Sequence, residues 1–271
     1  MIFSSADLHA KPKRWLGFRK YHNVVMLTGA GVSVASGIAP FRGPDGIQTT
    51  ETEKFFHPGI LQEDPDAAWK FYSNLRKQSQ EANPNAAHRA IAKAQKRRSF
   101  LVVTQNIDGL HQKAGSRNVI EMHGNIHRTR CSDWDCTLTP FVDRKLYARK
   151  APHCPKCGSV LRPDMVFFGE IISPGILEGI TESLHYCDLF VSVGTSGTAY
   201  PANAFVDAAK IVAAMTVCIN TEPPAEDNAF FKSIVGKAEK MLPRFLDPYD
   251  NSLKKSKKGD RLGRWGGEYG R

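Results

Sequence analysis

Residues 23–38 read NVVMLTGAGVSVASGI. The first five are apolar and rich in β-branched side chains, and they run into Thr28-Gly29-Ala30-Gly31. This is the pattern of a buried strand entering a glycine turn. Glycines at such a turn let the backbone come close to a pyrophosphate. The motif alone is a weak signal. The third glycine of a dehydrogenase fingerprint is absent, because Val34 stands where it would fall. Glu51 and Glu53 lie about where a ribose-binding acid belongs, but the stretch leading to them holds no second strand. An ordinary dehydrogenase is therefore not expected.

Outward from this turn, short apolar runs recur at residues 100–104 (FLVVT), 119–121, 189–193 (LFVSV) and 216–220 (TVCIN), and residues 165–168 read as apolar and extended. Between them lie stretches with helical spacing. Residues 66–80 carry Trp69, Tyr72, Leu75 and Arg76 on that spacing. Asn83 and Pro84 read as an N-cap and first helical position opening a helix over 85–97. Gly115 closes a short helical piece, Ser173-Pro174 opens a helix to about 185, and further helices are expected over 203–212 and 237–246, the last interrupted by Pro243. Residues 37–59 show no period and read as a long functional loop. Buried strands alternating with helices predict an α/β fold: a Rossmann-like, mainly parallel sheet with helices on both faces. A second glycine turn, Gly194-Thr195-Ser196-Gly197, follows the run 189–193. Two glycine turns at the ends of strands favour a nucleotide crevice over two unrelated structural turns.

The segment 126–163 breaks the alternation. It holds Cys131 and Cys136, with four residues between, then Cys154 and Cys157, with two between. Each pair can present two thiolates from one tight turn, and two such turns complete a closed tetrahedral zinc site. Four protein ligands leave no open position, so one structural zinc ion in a small ribbon module is expected. Two disulfides are the other reading, and the lack of a secretion signal weighs against them. Cys187 and Cys218 lie in or beside apolar runs and read as core residues.

The chain has 271 residues and a net charge of +10. Five Lys/Arg against one Asp in residues 1–22, and seven against two acids in 251–271, account for nearly all of it. The expected organisation is a basic tail over 1–22, a catalytic body over 23–250 with its inserted module, and a basic, disordered tail over 251–271. Solvated ends are the plainer reading of these tails, and docking arms for acidic partners the sharper one. Nucleic acid is not expected as a partner. No apolar run reaches the ~20 residues of a membrane span, and residues 1–15 lack the apolar core of a secretory signal. A cytoplasmic monomer is the expectation, with a mitochondrial-type presequence left open.

Taken together, these motifs resemble the sirtuin family. The matching segments are Gly29-Ala30-Gly31-Val32-Ser33, Ser36-Gly37-Ile38, Phe41-Arg42, residues 104–108 (TQNID), His123-Gly124, the four cysteines, Phe168-Gly169-Glu170, Gly194-Thr195-Ser196 and Asn220-Thr221-Glu222. They fall in family order over residues 20–246. Details such as residues 84–88 (PNAAH) are most similar to the bacterial and mitochondrial desuccinylase-like branch.

The resemblance implies an NAD-consuming protein-lysine deacylase acting on an acyl-lysine protein or peptide and releasing nicotinamide and O-acyl-ADP-ribose. The acyl oxygen attacks C1′ of the nicotinamide ribose, and a ribose hydroxyl then loses a proton to a base. His123 stands in the matching base position, and imidazole suits that role. By the resemblance, Gln105, Asn106 and Asp108 hold the nicotinamide ribose and carboxamide, with Ser33 and Ile107 lining their pocket. Asn106 and Asp108 join His123 as the catalytic set. Ala30, Gly31 and Arg42 contact phosphates or ribose beside Gly29, and Phe41 covers the reacting centre. Gly194, Thr195, Ser196, Asn220, Thr221, Glu222 and Ala238 fall on the adenosine side. Val166, Phe167, Phe168 and Gly169 pair with the substrate peptide. Zinc takes no part in the chemistry.

The desuccinylase-like branch grips an acidic acyl chain with a Tyr-x-x-Arg pair and keeps a small residue upstream. An ungapped alignment retains Tyr72 but places Leu75 at the arginine and Phe56 at the small residue. Both departures narrow the pocket and remove its cation, so deacetylation is expected over desuccinylation. Arg76 lies about 100° further round the helix and should point elsewhere. Ala39-Pro40 departs from the family pattern in the cofactor loop. A mono-ADP-ribosyltransferase on the same fold, a non-catalytic NAD-binding scaffold and a zinc-ribbon nucleic-acid binder are the competing readings.

Overall fold

The computed structural model describes residues 18–43, 45–96, 99–195, 202–224 and 229–247. Ser196, Gly197, residues 1–17 and the C-terminal tail lie outside them.

Six strands form one parallel sheet: β1 (Asn23–Thr28), β2 (Ser99–Thr104), β3 (Val119–Glu121), β7 (Leu189–Val193), β8 (Met215–Asn220) and β9 (Lys232–Val235). Their spatial order is β3-β2-β1-β7-β8-β9. The chain thus builds outward from β1 in one direction and, after a long excursion, outward from β7 in the other. The register aligns Thr28 with Thr104 and with Val193, and Val193 with Ile219. The C-terminal ends of the four central strands therefore share one rim, and the strand order reverses between β1 and β7.

Both faces of the sheet are buried, which explains the unbroken apolar runs. Val24, Met26, Val102, Val191 and Val217 face α3 (Ala86–Gln95) and α7 (Ala238–Leu246). Val25, Leu27, Leu101, Val103 and Phe190 face α5 (Pro174–His185) and α6 (Ala202–Ile211). The alternation along each strand is the two-residue period of the pleat. Between β2 and β3 the short helix α4 (Leu110–Lys113) buries Leu110 and His111.

The remaining elements form a second unit. Three antiparallel strands, in the order β5 (Phe141–Val142), β4 (Gly124–Cys131) and β6 (Leu161–Met165), pack with α1 (Ile60–Glu63) and α2 (Pro65–Glu81). Trp69, Tyr72, Phe56, Ile126, Leu161 and Phe167 share one core there. Trp69 Nε1 donates to the Leu161 carbonyl at 2.6 Å. The expected module at 126–163 is thus not self-standing: it is completed by α1, α2 and the preceding loop. That loop contains a 3₁₀ turn over Glu53–Phe56.

Four expectations shift at their edges. Residues 18–22 belong to the fold and not to a tail, since Phe18 is buried and its ring lies 6.2 Å from Phe100 and 5.7 Å from Phe245. Asn85, not Asn83, caps α3: its side chain accepts from the Ala87 N–H while the His88 ring accepts from the Asn85 N–H. Pro84 stays outside the helix. The helix α7 runs through Pro243, and the Asp247 N–H donates to the Pro243 carbonyl at 3.1 Å to keep the next turn closed. The extended reading at 165–168 belongs to β6, which ends at Met165. Val166–Gly169 follow it as a loop.

Candidate active site

The two glycine turns meet at the reversal point of the sheet. The Gly29 N–H donates to the Val193 carbonyl at 3.0 Å, and the Gly31 N–H to the Gly194 carbonyl at 2.9 Å. A Cβ on Gly31 would lie 2.8 Å from Gly194 Cα, and Gly194 itself has φ of +60°. Only glycines allow backbones this close, so the two turns interlock at the rim. Asn220 Nδ2 donates to the Thr195 carbonyl at 3.2 Å and holds the second turn against the end of β8. Thr221 and Glu222 follow exposed, and Ala238 is buried in the first turn of α7.

Across the rim, β2 ends in Gln105-Asn106-Ile107-Asp108. The Gln105 N–H donates to the Thr28 carbonyl at 2.9 Å, carrying this segment across from β1. Asn106 Nδ2 donates to the Gly29 carbonyl at 3.1 Å and to Ser33 Oγ at 3.2 Å. Ser33 in turn donates to Asp108 Oδ2 at 2.6 Å, and the Leu110 N–H donates to Oδ1 at 2.9 Å. The sequence-expected residues Gly29, Ser33, Asn106 and Asp108 are therefore joined in one hydrogen-bonded set. Burial raises the Asp108 pKa, against the Ser33 hydroxyl and the Leu110 N–H, which hold it down.

His123 stands at the end of β3, half-buried. Its Nδ1 lies 2.9 Å from the Gln105 carbonyl. A carbonyl can only accept, so Nδ1 carries the proton and Nε2 keeps its lone pair. Burial lowers the His123 pKa, opposed by this bond.

The Val166 N–H donates to the His123 carbonyl at 2.9 Å, and the Phe168 N–H to the Phe56 carbonyl at 2.7 Å. Phe41, Phe56 and Phe168 form a three-ring wall, with centroids 5.1 to 6.1 Å apart. Arg42 Nε donates to Gln48 Oε1 at 3.2 Å. Tyr72 is fully buried, and its hydroxyl donates to the Phe55 carbonyl at 2.7 Å. Leu75 packs on the core around Phe56 and lines a small cavity of about 60 Å³ with Ile38, Ala39, Ile107 and Asp108. Arg76 points away, fully buried, with bonds to the carbonyls of Ile126 at 2.9 Å and Lys145 at 2.6 Å, and 3.3 Å from Asp143.

Four buried residues were not legible as site neighbours. His88 and His111 lie beneath Ser33 and Thr28, with ring centroids 5.0 Å apart. Burial holds their pKa values at about 4 and about 3. Both are packing residues and neither lies on a helix surface. Asn85 Nδ2 donates to the Val32 carbonyl at 2.8 Å and to Ser36 Oγ at 3.0 Å, tying α3 to the first glycine turn. Arg162 clasps Glu170 beside the Val166–Gly169 loop. An unbroken apolar run announces a central strand, but nothing in a sequence announces that one histidine or arginine is buried.

The four cysteine sulfurs lie within 4.8 Å of one another, with Cys131–Cys157 at 3.4 Å and Cys136–Cys154 at 3.6 Å, and none is in a disulfide. Zinc bound at ~2.3 Å to four sulfurs sets them about 3.8 Å apart. The donor set and its spacing fit a structural zinc ion.

A parallel sheet with two interlocked glycine turns at its reversal point, carrying a four-cysteine unit, defines a dinucleotide-binding α/β protein with a zinc-ribbon module. The sequence model of the Sir2 family matches residues 29–201, and the chain belongs to that family. The NAD-dependent protein deacylase of Escherichia coli strain K12 is 40% identical over 242 residues, spanning 85% of this chain and 83% of its own. That of Pyrococcus furiosus is 39% identical over 230 residues, spanning 82% and 91%. Among solved structures, a Sir2 homologue in complex with NAD superposes with a TM-score of 0.80 at 31% identity, covering 92% of this chain and all of that one. A Sir2 complex with a p53 peptide and NAD⁺ gives 0.74 at 29% identity, covering 85% and 94%.

Proposed function

We propose that this chain is an NAD-dependent protein-lysine deacylase with His123 as its general base. The observation that carries the reading is the His123–Gln105 bond: it leaves Nε2 free to accept a proton at the rim where the glycine turns, Asn106 and Asp108 converge. Relatives named NAD-dependent protein deacylase and a neighbour bound to peptide and NAD⁺ support the same reading.

When bound, NAD supplies an electrophilic ribose carbon and nicotinamide as leaving group. The interlocked turns at Gly29–Gly31 and Gly194 form the backbone cradle for its pyrophosphate, and the Ser33–Asn106–Asp108 set offers donors and an acceptor to the ribose and carboxamide. Thr195, Ser196, Asn220, Thr221, Glu222 and Ala238 take the adenosine side, with Arg42 on the phosphates. Phe41 closes over the reacting centre and excludes water. His123 Nε2 removes the proton of a ribose hydroxyl. No nucleophilic side chain is required. The substrate is an acyl-lysine peptide that lies along Val166–Gly169.

The acyl group preferred is acetyl over succinyl. Phe56 fills the wall of the pocket, the Tyr72 hydroxyl is committed to the Phe55 carbonyl, and Arg76 is committed to the second unit. None of the three is available to a succinyl carboxylate. A cytoplasmic monomer remains the reading we adopt, to be checked by light scattering and fractionation. No described helix is long and apolar enough to cross a membrane.

The test incubates the protein with NAD and matched acetyl- and succinyl-lysine peptides, followed by mass spectrometry. Loss of the acetyl peptide with formation of O-acetyl-ADP-ribose is expected. Nicotinamide release that does not depend on acyl peptide would instead favour ADP-ribosyl transfer.

A further inference from the structure

Residues 139–150, TPFVDRKLYARK, form an outer rim of the second unit. Phe141, Val142 and Leu146 are exposed there, Val142 to 71%. Arg144, Lys145, Arg149 and Lys150 are exposed beside them. The one acid of the stretch, Asp143, is buried against Arg76. Across residues 126–163, eight Lys/Arg stand against three Asp/Glu, whereas residues 23–250 as a whole hold 25 against 24. The positive charge of the body is thus concentrated on this unit.

This rim is held in place. Arg76 Nη1 donates to the Lys145 carbonyl at 2.6 Å, Gln80 Nε2 to the Arg144 carbonyl at 2.7 Å, and the Tyr147 N–H to Ser73 Oγ at 2.8 Å. All three partners lie on α2, so the backbone is anchored while Phe141, Val142, Arg144, Lys145, Leu146, Arg149 and Lys150 face solvent. Among the described strands, β5 pairs only with β4, which leaves its other edge open. A preorganised surface with exposed apolar groups, cations and an open edge has low ordering costs on binding.

We propose that this rim is a docking surface for an extended acidic segment of a protein partner. The segment adds as a strand beside Phe141–Val142. Its apolar side chains cover Phe141, Val142 and Leu146, and its carboxylates meet Arg144, Lys145, Arg149 and Lys150. A nucleic-acid backbone would match the cations but leave Val142 and Leu146 uncovered. The surface is separate from the NAD cradle, so the proposal goes beyond the deacylase reading and does not depend on it.

Fluorescence anisotropy on the full zinc-loaded chain tests this. The probes are a short labelled peptide alternating Glu with Val and Phe, the same peptide with Lys in place of Glu, and a short DNA duplex. Binding of the acidic peptide is expected to exceed that of its Lys version, to weaken with salt, and to fall roughly tenfold in an Arg144→Glu/Arg149→Glu variant. Val142→Thr, which leaves every charge in place, should also weaken it. Unchanged zinc content and unchanged turnover of a short acetyl peptide show that the variants are folded. Equal binding of the two peptides, equal binding by wild type and both variants, or tighter binding of the duplex with the same variant dependence would each overturn the proposal.

Discussion

A base must be unprotonated to act, and burial works in favour of that at His123, the base we propose. Its pKa lies below the ordinary histidine value of ~6.5 because the ring is removed from water. The acid limb of kcat/KM for an acetyl peptide is therefore expected below pH 6.5, and a limb at or above that value would count against His123 as the base. His123→Ala should cost about 10²–10⁴ in kcat while leaving NAD binding by calorimetry largely intact. Acyl choice is argued at the same scale. Leu75→Arg with Phe56→Ala restores a cation and space, so succinyl-peptide turnover should rise at least tenfold relative to acetyl; no change would mean that other residues set the acyl group. Residues such as Asn106, Asp108 and His123 were legible because short motifs keep chemistry-bearing groups adjacent in sequence. Their supports were not. His88 meets Ser33 across 55 positions and Arg76 meets Ile126 across 50, distances over which no local pattern survives.

Among the elements, the Val166–Gly169 loop, along which we propose the peptide lies, shows how a segment is stiffened without secondary structure. Arg162, on β6, donates to the Met165 carbonyl at 2.7 Å and to Glu170 Oε2 at 2.9 Å, and its guanidinium lies 3.8 Å from the Phe167 ring centre. Glu170 Oε2 also accepts from the Phe167 N–H at 2.8 Å. The loop is thereby closed on itself by an ion pair between buried Arg162 and partly buried Glu170. Glu170→Gln leaves the buried Arg162 without its counter-charge, a loss on the order of 3 kcal/mol. The expected result is a lower melting temperature together with a raised KM for peptide and an unchanged KM for NAD; equal effects on both constants would point to general loosening. Central strands were easy to read because both of their faces are apolar. Strand β9 was not, since it lies at the edge with alternating residues exposed and Lys232 at its start. The cap of α3 was misplaced for a related reason: Asn83 and Asn85 are equivalent as sequence, and only the reciprocal bond with His88 distinguishes them.

The two units of the molecule respond differently to acid and to chelators. Removing zinc should release four thiolates within the second unit, whose core is shared with α1 and α2, so the wall carrying Phe56 should lose order along with the ribbon. The parallel sheet has its own core and a separate acid sensitivity. His88 and His111 are buried and neutral, with folded pKa values of about 4 and about 3 against ~6.5 when unfolded. Between those values the unfolded chain binds the extra protons, so stability rises with pH across that window. The contribution is complete above about pH 6.5 and is lost as pH falls toward 4, at about 1.4 kcal/mol for each pH unit that separates the folded value from the unfolded one. For His88 alone this approaches ~3 kcal/mol, a large part of a domain's usual 5–15 kcal/mol. Zinc release in acid would act in the same direction, so the two must be separated. In urea titrations between pH 7 and pH 5, a His88→Asn/His111→Asn variant should start less stable, because the Asn85 and Thr28 contacts are disturbed, yet lose less stability per pH unit than wild type. Zinc release, followed with a metal-binding dye, should keep the same pH midpoint in both. Parallel stability slopes in variant and wild type would assign the acid lability to the four cysteines and not to the histidines beneath the cofactor cradle.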